Sequence, residues 1–564
     1  MPPGTDAARA VGWRAAAIRY APAGAAAAVM LVLGLWGLAR DSAMGNDEVA
    51  TRWAALLSLR DLAHLVNNVD AVHGLYYLLM HGWVAVGSSP EALRVPSVAA
   101  MTGAAALIAV LARRLTGSGW AALFAGLVMV LTPDISYYAQ TARSYAMVYA
   151  CVAGATLVLV HALAAEAAGA PGPRLARWWI GYGALVTLGG YLNEMSLLIL
   201  AAHAVTVLLA RHGRQSVRHW AAAGGVGAIL VTPLILVSIR EHAAVNWIPR
   251  PGLEDLRILF HDYFGATTAV AVLLLGCAIV AVLPPRSTWR WWRGQAGGTG
   301  TGDSATTGGA TTGGSTGPGA TTGGSAGQGV TTGGGAGGEL AWWRSGGVSL
   351  ASVGAPLLVL PALLLILESL VLSPLYVDRY VLYGEAGAAL LAGAGMWRIG
   401  RWLSRAVGWP ALLWAPGAVL CACTLVLQLA PQQRARTPES RLYNFGGPSR
   451  YVGANERPGD GVLFFGTFFR KARLGYPQDF ASTTDFAMSE SPEQAGTFRG
   501  RDKPFAAAYP LMLRYPRIWV VGHAPSAYVT DPLLRAESVV LQHRFRLIAE
   551  RHFRGIAVTL WQRR

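Results

Sequence analysis

Long apolar stretches, separated by shorter polar segments, dominate the chain up to residue 430. A helix needs about 20 mostly apolar residues to cross a bilayer, so each stretch predicts a membrane-spanning helix. The pattern predicts about eleven such helices, at residues 22–40, 94–112, 118–133, 144–165, 178–193, 196–211, 219–239, 266–283, 348–372, 384–399 and 408–430. Residues 22–430 are therefore expected to form a polytopic α-helical membrane domain.

Basic residues fall on alternate loops of this predicted bundle. If residues 1–21 are cytoplasmic, every loop on their side of the membrane is basic, and most acidic residues lie on the other side. Lys and Arg collect in the cytoplasmic loops of membrane proteins. The pattern therefore predicts that the long first polar loop, residues 41–93, faces outward, and that the segment after residue 430 lies on the same outer face.

Two segments depart from the membrane pattern. Residues 294–338 are rich in Gly, Thr and Ser and repeat TTGG four times, which predicts a disordered cytoplasmic linker within the membrane domain. In residues 431–564 the apolar runs shorten and turn residues become frequent. Short strands are predicted at 461–465, 517–521 and on both sides of 553–555, with helical stretches near 491–494 and 531–538. This segment is expected to be a small extracytoplasmic α/β domain.

Composition agrees with a membrane protein and excludes other classes. Hydrophobic residues make up 53% of the chain and charged residues 13%, against about 25% charged residues in soluble domains. The net charge of +16 is explained by basic cytoplasmic loops, so no nucleic-acid partner is expected. All four cysteines lie in apolar runs, without the spacing of a zinc site. We expect no disulfide and no metal site from them.

The first outer loop contains an acidic pair, Asp47 and Glu48, just beyond the first predicted span. Two acids at the start of a helix can be no more than a favourable cap. The amphipathic stretch that follows, residues 49–65, predicts a location in the membrane interface. A carboxylate in such a partly dry place can also act as a general base towards a hydroxyl group. The residues alone leave both interpretations open.

Two arginine–tyrosine groups are predicted on the same outer face. One surrounds Arg143 between Tyr137 and Tyr145, and the other comprises Arg379 and Tyr380. Such groups can belong to the aromatic belt of a membrane protein or to an ordinary salt-bridged loop. They can equally hold a phosphate, since the planar fork of arginine suits that group.

Four short motifs resemble, in identity and in their order along the chain, those of the GT-C class of membrane glycosyltransferases. The similarity is to the family 39 type, which includes protein O-mannosyltransferases, aminoarabinose transferases and mannosyltransferase-like proteins of actinobacteria. The acidic pair is followed by a segment similar to H-P-P-L-Y-Y, by one similar to A-Q-E-A-R-x-Y and by one similar to R-Y-L-L; the corresponding residues are Asp47-Glu48, His73–Tyr77, Ala139–Tyr145 and Arg379–Leu382. Two positions depart from the pattern, because Gly74 replaces a proline and Thr141 replaces a common glutamate.

The resemblance implies an inverting transfer of a sugar, with mannose expected, from a polyprenyl phosphate to an acceptor hydroxyl outside the membrane. Asp47 would be the base, and Glu48 would share that role or position the acceptor. Arg143 and Arg379 would hold the lipid phosphate. Further substrate-binding residues implied by the motifs are His73, Tyr76, Tyr77, Gln140, Tyr145 and Tyr380. The acceptor (glycan, lipid or protein) and a requirement for a divalent cation remain open.

A transporter or flippase of a lipid-linked or anionic substrate is the alternative function, and it would use the same arginines for binding. Transporters commonly show internal repeats and ionisable groups near the membrane midplane. The sequence shows no clear repeat, and its acids concentrate towards the outer side. A third interpretation is a non-catalytic scaffold whose outer domain binds cell-wall polymer. The pattern favours transfer over both.

Overall fold

The computed structural model describes residues 5–39, 43–211, 213–241, 247–283, 347–441, 443–523 and 531–564, with side chains of the first helix described from residue 16 onward. The predicted linker at 294–338 lies outside the described residues.

Among the described residues before 435, the regular secondary structure is entirely helical. Its helices are α1 (Thr5–Leu35), α2 (Asn46–Leu56), α3 (Leu59–Asn68), α4 (Gly74–Trp83), α5 (Pro90–Thr116), α6 (Gly119–Leu131), α7 (Pro133–Ala139), α8 (Tyr145–Ala167), α9 (Gly172–Leu192), α10 (Ile199–Ala210), α11 (Arg214–Arg240), α12 (Leu253–Phe264), α13 (Thr268–Val282), α14 (Leu350–Val371), α15 (Glu385–Val407) and α16 (Ala415–Arg434). Each of the apolar stretches recognised in the sequence coincides with one of these helices. The polytopic helical fold is confirmed.

The predicted number of membrane crossings is not confirmed. Among the described residues six helices are long and apolar enough to cross a membrane, in α1, α5, α8, α11, α14 and α16. The count rises to eight if two bent pairs, α6 with α7 and α12 with α13, each form one span. Of the helices at the eleven predicted spans, α9 and α15 are not among these candidates, and α10 has only 12 residues.

The C-terminal domain is built on a five-stranded sheet. Its strands are β1 (Asp460–Phe465), β2 (Thr483–Asp485), β3 (Met488–Glu490), β4 (Arg501–Asp502), β5 (Arg517–Gly522), β6 (Phe545–Phe553) and β7 (Ile556–Arg563). The sheet order is β2-β1-β5-β7-β6, with β1 parallel to β2 and β5, and with β7 antiparallel to its neighbours. The short strands β3 and β4 pair separately.

Five short helices complete this domain: α17 (Gly446–Gly453), α18 (Lys471–Gly475), α19 (Pro492–Ala495), α20 (Phe505–Met512) and α21 (Pro532–Arg544). Successive residues of β1 face opposite sides of the sheet, so that Phe464 packs in one apolar cluster and Leu463 in another. The predicted small C-terminal sheet domain is confirmed.

The first loop packs tightly against the C-terminal domain. Met44 and Val49 lie in the same buried cluster as aromatic residues of that domain. The backbone NH of Met44 donates to the Tyr476 hydroxyl (2.7 Å), and Arg52 donates to the carbonyl oxygen of Gly475 (3.2 Å). Trp53 donates through its ring nitrogen to Glu493 (3.3 Å). Helix α2 therefore has a fixed position against both parts of the chain.

Candidate active site

The acidic pair lies in the first turn of α2, where Gly45 is the N-cap. Successive residues of a helix point about 100° apart, because one turn takes 3.6 residues. Asp47 and Glu48 consequently meet different surroundings. Asp47 is half-buried, whereas Glu48 is only 2% exposed.

Glu48 is the centre of a buried ionic network. Arg94 on α5 donates to both of its oxygens, with Nε–Oε1 at 2.7 Å and Nη2–Oε2 at 2.8 Å. The backbone NH of Ala142 donates to Oε1 (3.1 Å), and the Nε atom of Arg441 lies 3.9 Å from Oε2. Burial opposes ionisation of Glu48, but Arg441 and Arg94 outweigh it and lower its pKa to about 2. Both oxygens are occupied, and the side chain joins α2 to α5 and to the loop before α8.

Glu48→Gln is expected to reduce the free energy of unfolding by about 3–5 kcal/mol, because it removes the buried carboxylate that binds Arg94 and lies beside Arg441. Denaturant titration of the purified protein in detergent measures this. Glu254→Gln is the matched control, since Glu254 forms an exposed ion pair with Arg257 and such pairs contribute about 0–1 kcal/mol. Equal effects of the two substitutions would contradict the structural importance of the network.

The Asp47 carboxylate has no ion pair in direct contact among the described residues. Its one side-chain hydrogen bond within that part of the chain comes from Asn46, with Nδ2–Oδ1 at 3.1 Å. Burial acts to raise the pKa of Asp47, but the positive charges of Arg143, Arg379 and Lys471 prevail and lower it. Asp47 is therefore a carboxylate that keeps capacity to accept a further hydrogen bond.

Arg143 is held by a group of residues that the motif spacing did not reveal in full. Its Nη2 atom donates to Asp70 Oδ2 (3.0 Å) and its Nη1 atom to the Tyr77 hydroxyl (2.6 Å). Tyr77 in turn donates to Asp70. Although burial favours the neutral acid, Arg143 and His73 keep the pKa of Asp70 well below its usual range. The guanidinium of Arg143 is thereby fixed in orientation.

His73 and Tyr145 lie beside this group. His73 Nε2 is 4.0 Å from Asp70 Oδ1, and its ring packs edge-on against Tyr145 at 6.4 Å. Burial, with help from the charge of Arg143, lowers the pKa of His73 to about 4, so the ring is neutral at pH 7. A neutral imidazole can donate and accept a hydrogen bond at the same time.

Arg379 lies in a 3-10 turn, Asp378–Gly384, that comes directly before α15. Its Nε atom donates to the Tyr145 hydroxyl (3.0 Å), and its guanidinium lies 5.6 Å from the centre of the Tyr380 ring and 5.8 Å from that of Trp247. Within the described residues no carboxylate forms a salt bridge with it. Its outer nitrogens can therefore bind an anion.

Two of the predicted binding residues lie in the packing around the site. The Gln140 amide donates to the carbonyl oxygens of Gly34 and Trp36 (both 2.8 Å), which ties the loop before α8 to the end of α1. Tyr76 is fully buried in the main hydrophobic cluster. The other predicted binding residues form one cluster together with Asp47. Its members are Asp47, His73, Tyr77, Arg143, Tyr145, Arg379 and Tyr380.

The C-terminal domain supplies a cation that the motifs did not indicate. Lys471, the first residue of α18, donates from Nζ to Asn46 Oδ1 (2.6 Å). Burial lowers the pKa of Lys471 to about 8. Only two lysines, Lys471 and Lys503, occur in the sequence, and that rarity was a signal available from the sequence. Asp70, the other omission, is one of many acids in the loops predicted to face outward, and no pattern distinguished it.

A metal centre has no obvious ligand set in the part of the chain that the structure describes. No three residues among its His, Cys, Asp and Glu side chains are grouped so that they could hold an ion.

The comparisons with known proteins address the fold. The family model described as dolichyl-phosphate-mannose-protein mannosyltransferase matches residues 73–237. The crystal structure of ArnT from Cupriavidus metallidurans in the apo state has a TM-score of 0.55, with 13% identity over 98% of each chain. The resemblance to the GT-C class is confirmed.

A second solved structure, ArnT from Cupriavidus metallidurans bound to undecaprenyl phosphate, has a TM-score of 0.53, 12% identity and 98% coverage of each chain. No curated protein matches the chain. At these identities the similarity establishes a shared fold, and its coverage of 98% of each chain includes the C-terminal domain. The family match contains His73 and Arg143 but ends before Arg379 and begins after Asp47.

Proposed function

We propose that the chain is a membrane glycosyltransferase that moves a sugar from a polyprenyl-phosphate donor to an acceptor hydroxyl on the outer face of the membrane. The observation that carries the proposal is the Asp47 carboxylate, which lacks a directly bound counter-ion among the described residues and lies in the field of Arg143, Arg379 and Lys471. A base and an anion site side by side suit a reaction in which a hydroxyl attacks and a phosphate departs.

Two comparisons support the class of donor. A structure with the same fold contains undecaprenyl phosphate, and the description of the matching family names dolichyl-phosphate mannose. A polyprenyl phosphate sugar is therefore the donor we propose, with mannose as the sugar. The acceptor is a hydroxyl of a glycan, lipid or protein.

In the proposed reaction Asp47 accepts the proton of the acceptor hydroxyl as its oxygen attacks the anomeric carbon. The bond between that carbon and the phosphate oxygen breaks, and its electron pair remains on the phosphate. Attack from the face opposite the leaving group inverts the anomeric configuration. One proton moves to Asp47, and the lipid phosphate leaves with one additional negative charge.

Arg143 and Arg379 stabilise the charge that grows on the phosphate. Arg143 is pre-oriented by Asp70 and Tyr77, and Arg379 by Tyr145. Binding groups fixed before the reaction need no reorganisation in the transition state. We propose that Glu48 positions α2, because its two oxygens already bind Arg94, and that it takes no proton from the acceptor.

The sugar and the cellular acceptor can be tested by mass spectrometry of cell-envelope glycans, lipids and proteins from a deletion strain. We expect one class of envelope molecule to lose a hexose, and to regain it when the wild-type gene is supplied but not when the Asp47→Asn variant is supplied. Loss of a sugar other than a hexose would refute mannose. An envelope without any altered glycan would refute the transferase itself.

A further inference from the structure

A hydrogen-bonded chain of three side chains runs from the C-terminal domain to the proposed base. Lys471 Nζ donates to Asn46 Oδ1 at 2.6 Å, and Asn46 Nδ2 donates to Asp47 Oδ1 at 3.1 Å. The two bonds use opposite ends of one amide group. Because an amide oxygen only accepts and its nitrogen only donates, the lysine fixes which end of Asn46 faces the carboxylate.

Lys471 is held in place by its neighbour Arg470, which is 2% exposed. Arg470 donates from Nε to Asp485 (2.7 Å) and from Nη2 to Asp502 (2.5 Å). The rings of Phe468 and Phe498 lie 5.3 and 5.2 Å from the Lys471 ammonium. These contacts restrict the conformation of the Lys471 side chain. Cation–π attraction between its ammonium and the two rings contributes to this restriction.

Packing alone is a weak reason for a lysine at this position. The residue is 8% exposed, and its one hydrogen bond among the described residues goes to a neutral amide. A buried ammonium without a directly bound carboxylate costs free energy of folding. A methionine of similar length would fill the same space at lower cost, which points to a use for the charge.

We propose that Lys471 is a positioning residue of the transfer site, which holds the Asp47 carboxylate in its reactive orientation through Asn46. This inference rests on the proposed function. Its consequence is that the C-terminal domain completes the site and is not merely an attached binding module. The domain is held against α2 for this purpose by Tyr476 and Gly475, which bind Met44 and Arg52.

The charges around Lys471 come from both parts of the chain. Asp47, Asp70 and Arg143 face it from the membrane part, and Arg499 faces it from its own domain. Burial makes the pKa of Lys471 about 8, lower than that of an ordinary lysine. The ammonium is thus present at neutral pH and is lost as the pH rises through about 8.

Lys471→Met is expected to lower kcat on the order of 10–100-fold with little change in the KM for the lipid donor, because a misplaced base reacts slowly while binding persists. Asn46→Ala is expected to have the same effect, and the double variant to be no worse than either single variant, since the two act in series. Lys503→Met is the matched control, because Lys503 only donates to backbone carbonyls of its own domain. Additive effects, or a change confined to KM, would overturn the proposal.

The pH profile separates positioning from a purely structural role. We expect the kcat of the wild type to fall above about pH 8, and Lys471→Arg to retain activity in that range because a guanidinium stays charged. The same fall of kcat above about pH 8 in the wild type and in Lys471→Arg would contradict the inference.

A measurement independent of turnover uses the scarcity of lysine. Protein labelled with ¹³C at the lysine ε-carbon gives signals from Lys471 and Lys503 only, which Lys503→Arg assigns. We expect Lys471 to titrate near pH 8, and its pKa to fall further in Asp47→Asn, which removes a favourable charge. Wild-type protein that titrates in this way but transfers no sugar would overturn the proposed function. Transfer by wild-type protein, with an unchanged kcat in Lys471→Met, would overturn the role of Lys471 alone.

Discussion

Asp47→Asn is expected to lower the rate constant of sugar transfer by about 10²–10⁴-fold, the usual contribution of a general base. The amide has nearly the shape of the carboxylate and keeps a hydrogen-bond acceptor, but it cannot take a proton at neutral pH. Donor binding should change little, because the lipid phosphate is bound by the arginines. Initial rates over a range of donor concentrations separate kcat from KM.

Asp61→Asn is the control for this substitution. Asp61 lies in the same loop at the start of α3, where it accepts a hydrogen bond from Ser58 (2.7 Å). The Asp61→Asn substitution makes the same chemical change as Asp47→Asn, but outside the cluster of cations. We therefore expect its rate of transfer to remain close to that of the wild type. An equal loss in both variants would show that the loop is merely sensitive to lost charge.

The dependence of the rate on pH below neutrality is a second test of Asp47 as the base. Since the pKa of Asp47 is lowered below its ordinary value of 3.8, the carboxylate stays ionised as the pH falls, and protonation removes the base only below that value. We therefore expect kcat/KM to remain level from neutral pH down to about pH 5. A loss centred between pH 5 and 7 would contradict this assignment of the base.

Arg379→Gln is expected to lower kcat by about 10²–10³-fold, because it removes a charge that stabilises the departing phosphate. Arg379→Lys should recover only part of the loss, since a lysine restores the charge without the planar fork. Binding of undecaprenyl phosphate, measured by calorimetry, should weaken in parallel. Arg257→Gln, in an exposed ion pair, is the matched control.

Arg379 tests the phosphate site more cleanly than Arg143 does. Arg143 pairs with Asp70 and Tyr77, so its replacement leaves a carboxylate without its partner and disturbs folding as well as catalysis. The side chain of Arg379 donates to Tyr145, and among the described residues it has no carboxylate partner. Wild-type kcat and wild-type lipid affinity in Arg379→Gln would contradict its proposed role.

The helices and strands followed from local pattern. Apolar length located the long helices, and short apolar runs between turns located β1, β5, β6 and β7, because these signals come from neighbouring residues. The number of membrane crossings was harder to predict, since a short or charged helix can be buried among others without spanning the bilayer. The bend of 69° between α6 and α7 lies at the end of the predicted stretch 118–133, and α7 continues beyond it.

The site was only partly readable from the sequence. The motifs pointed to Asp47, Arg143 and Arg379, which the fold brings together, but they could not distinguish Asp47 from its neighbour. That distinction depends on Arg94 and Arg441, which are distant in sequence and bind Glu48. Gln140 was predicted to bind substrate, but its amide donates to a backbone carbonyl of α1, a contact that the sequence does not reveal. Contacts such as that of Lys471 with Asn46 form only in the folded chain.

The most direct measurement follows radiolabelled mannose of polyprenyl-phosphate mannose in liposomes that contain either the wild-type protein or Asp47→Asn. We predict that the wild type moves the label from lipid to an acceptor in an added envelope extract, while Asp47→Asn binds the lipid and leaves the label on it. Label that crosses the bilayer still attached to lipid would indicate transport. That outcome, or equal transfer by both proteins, would contradict a transferase with Asp47 as its base.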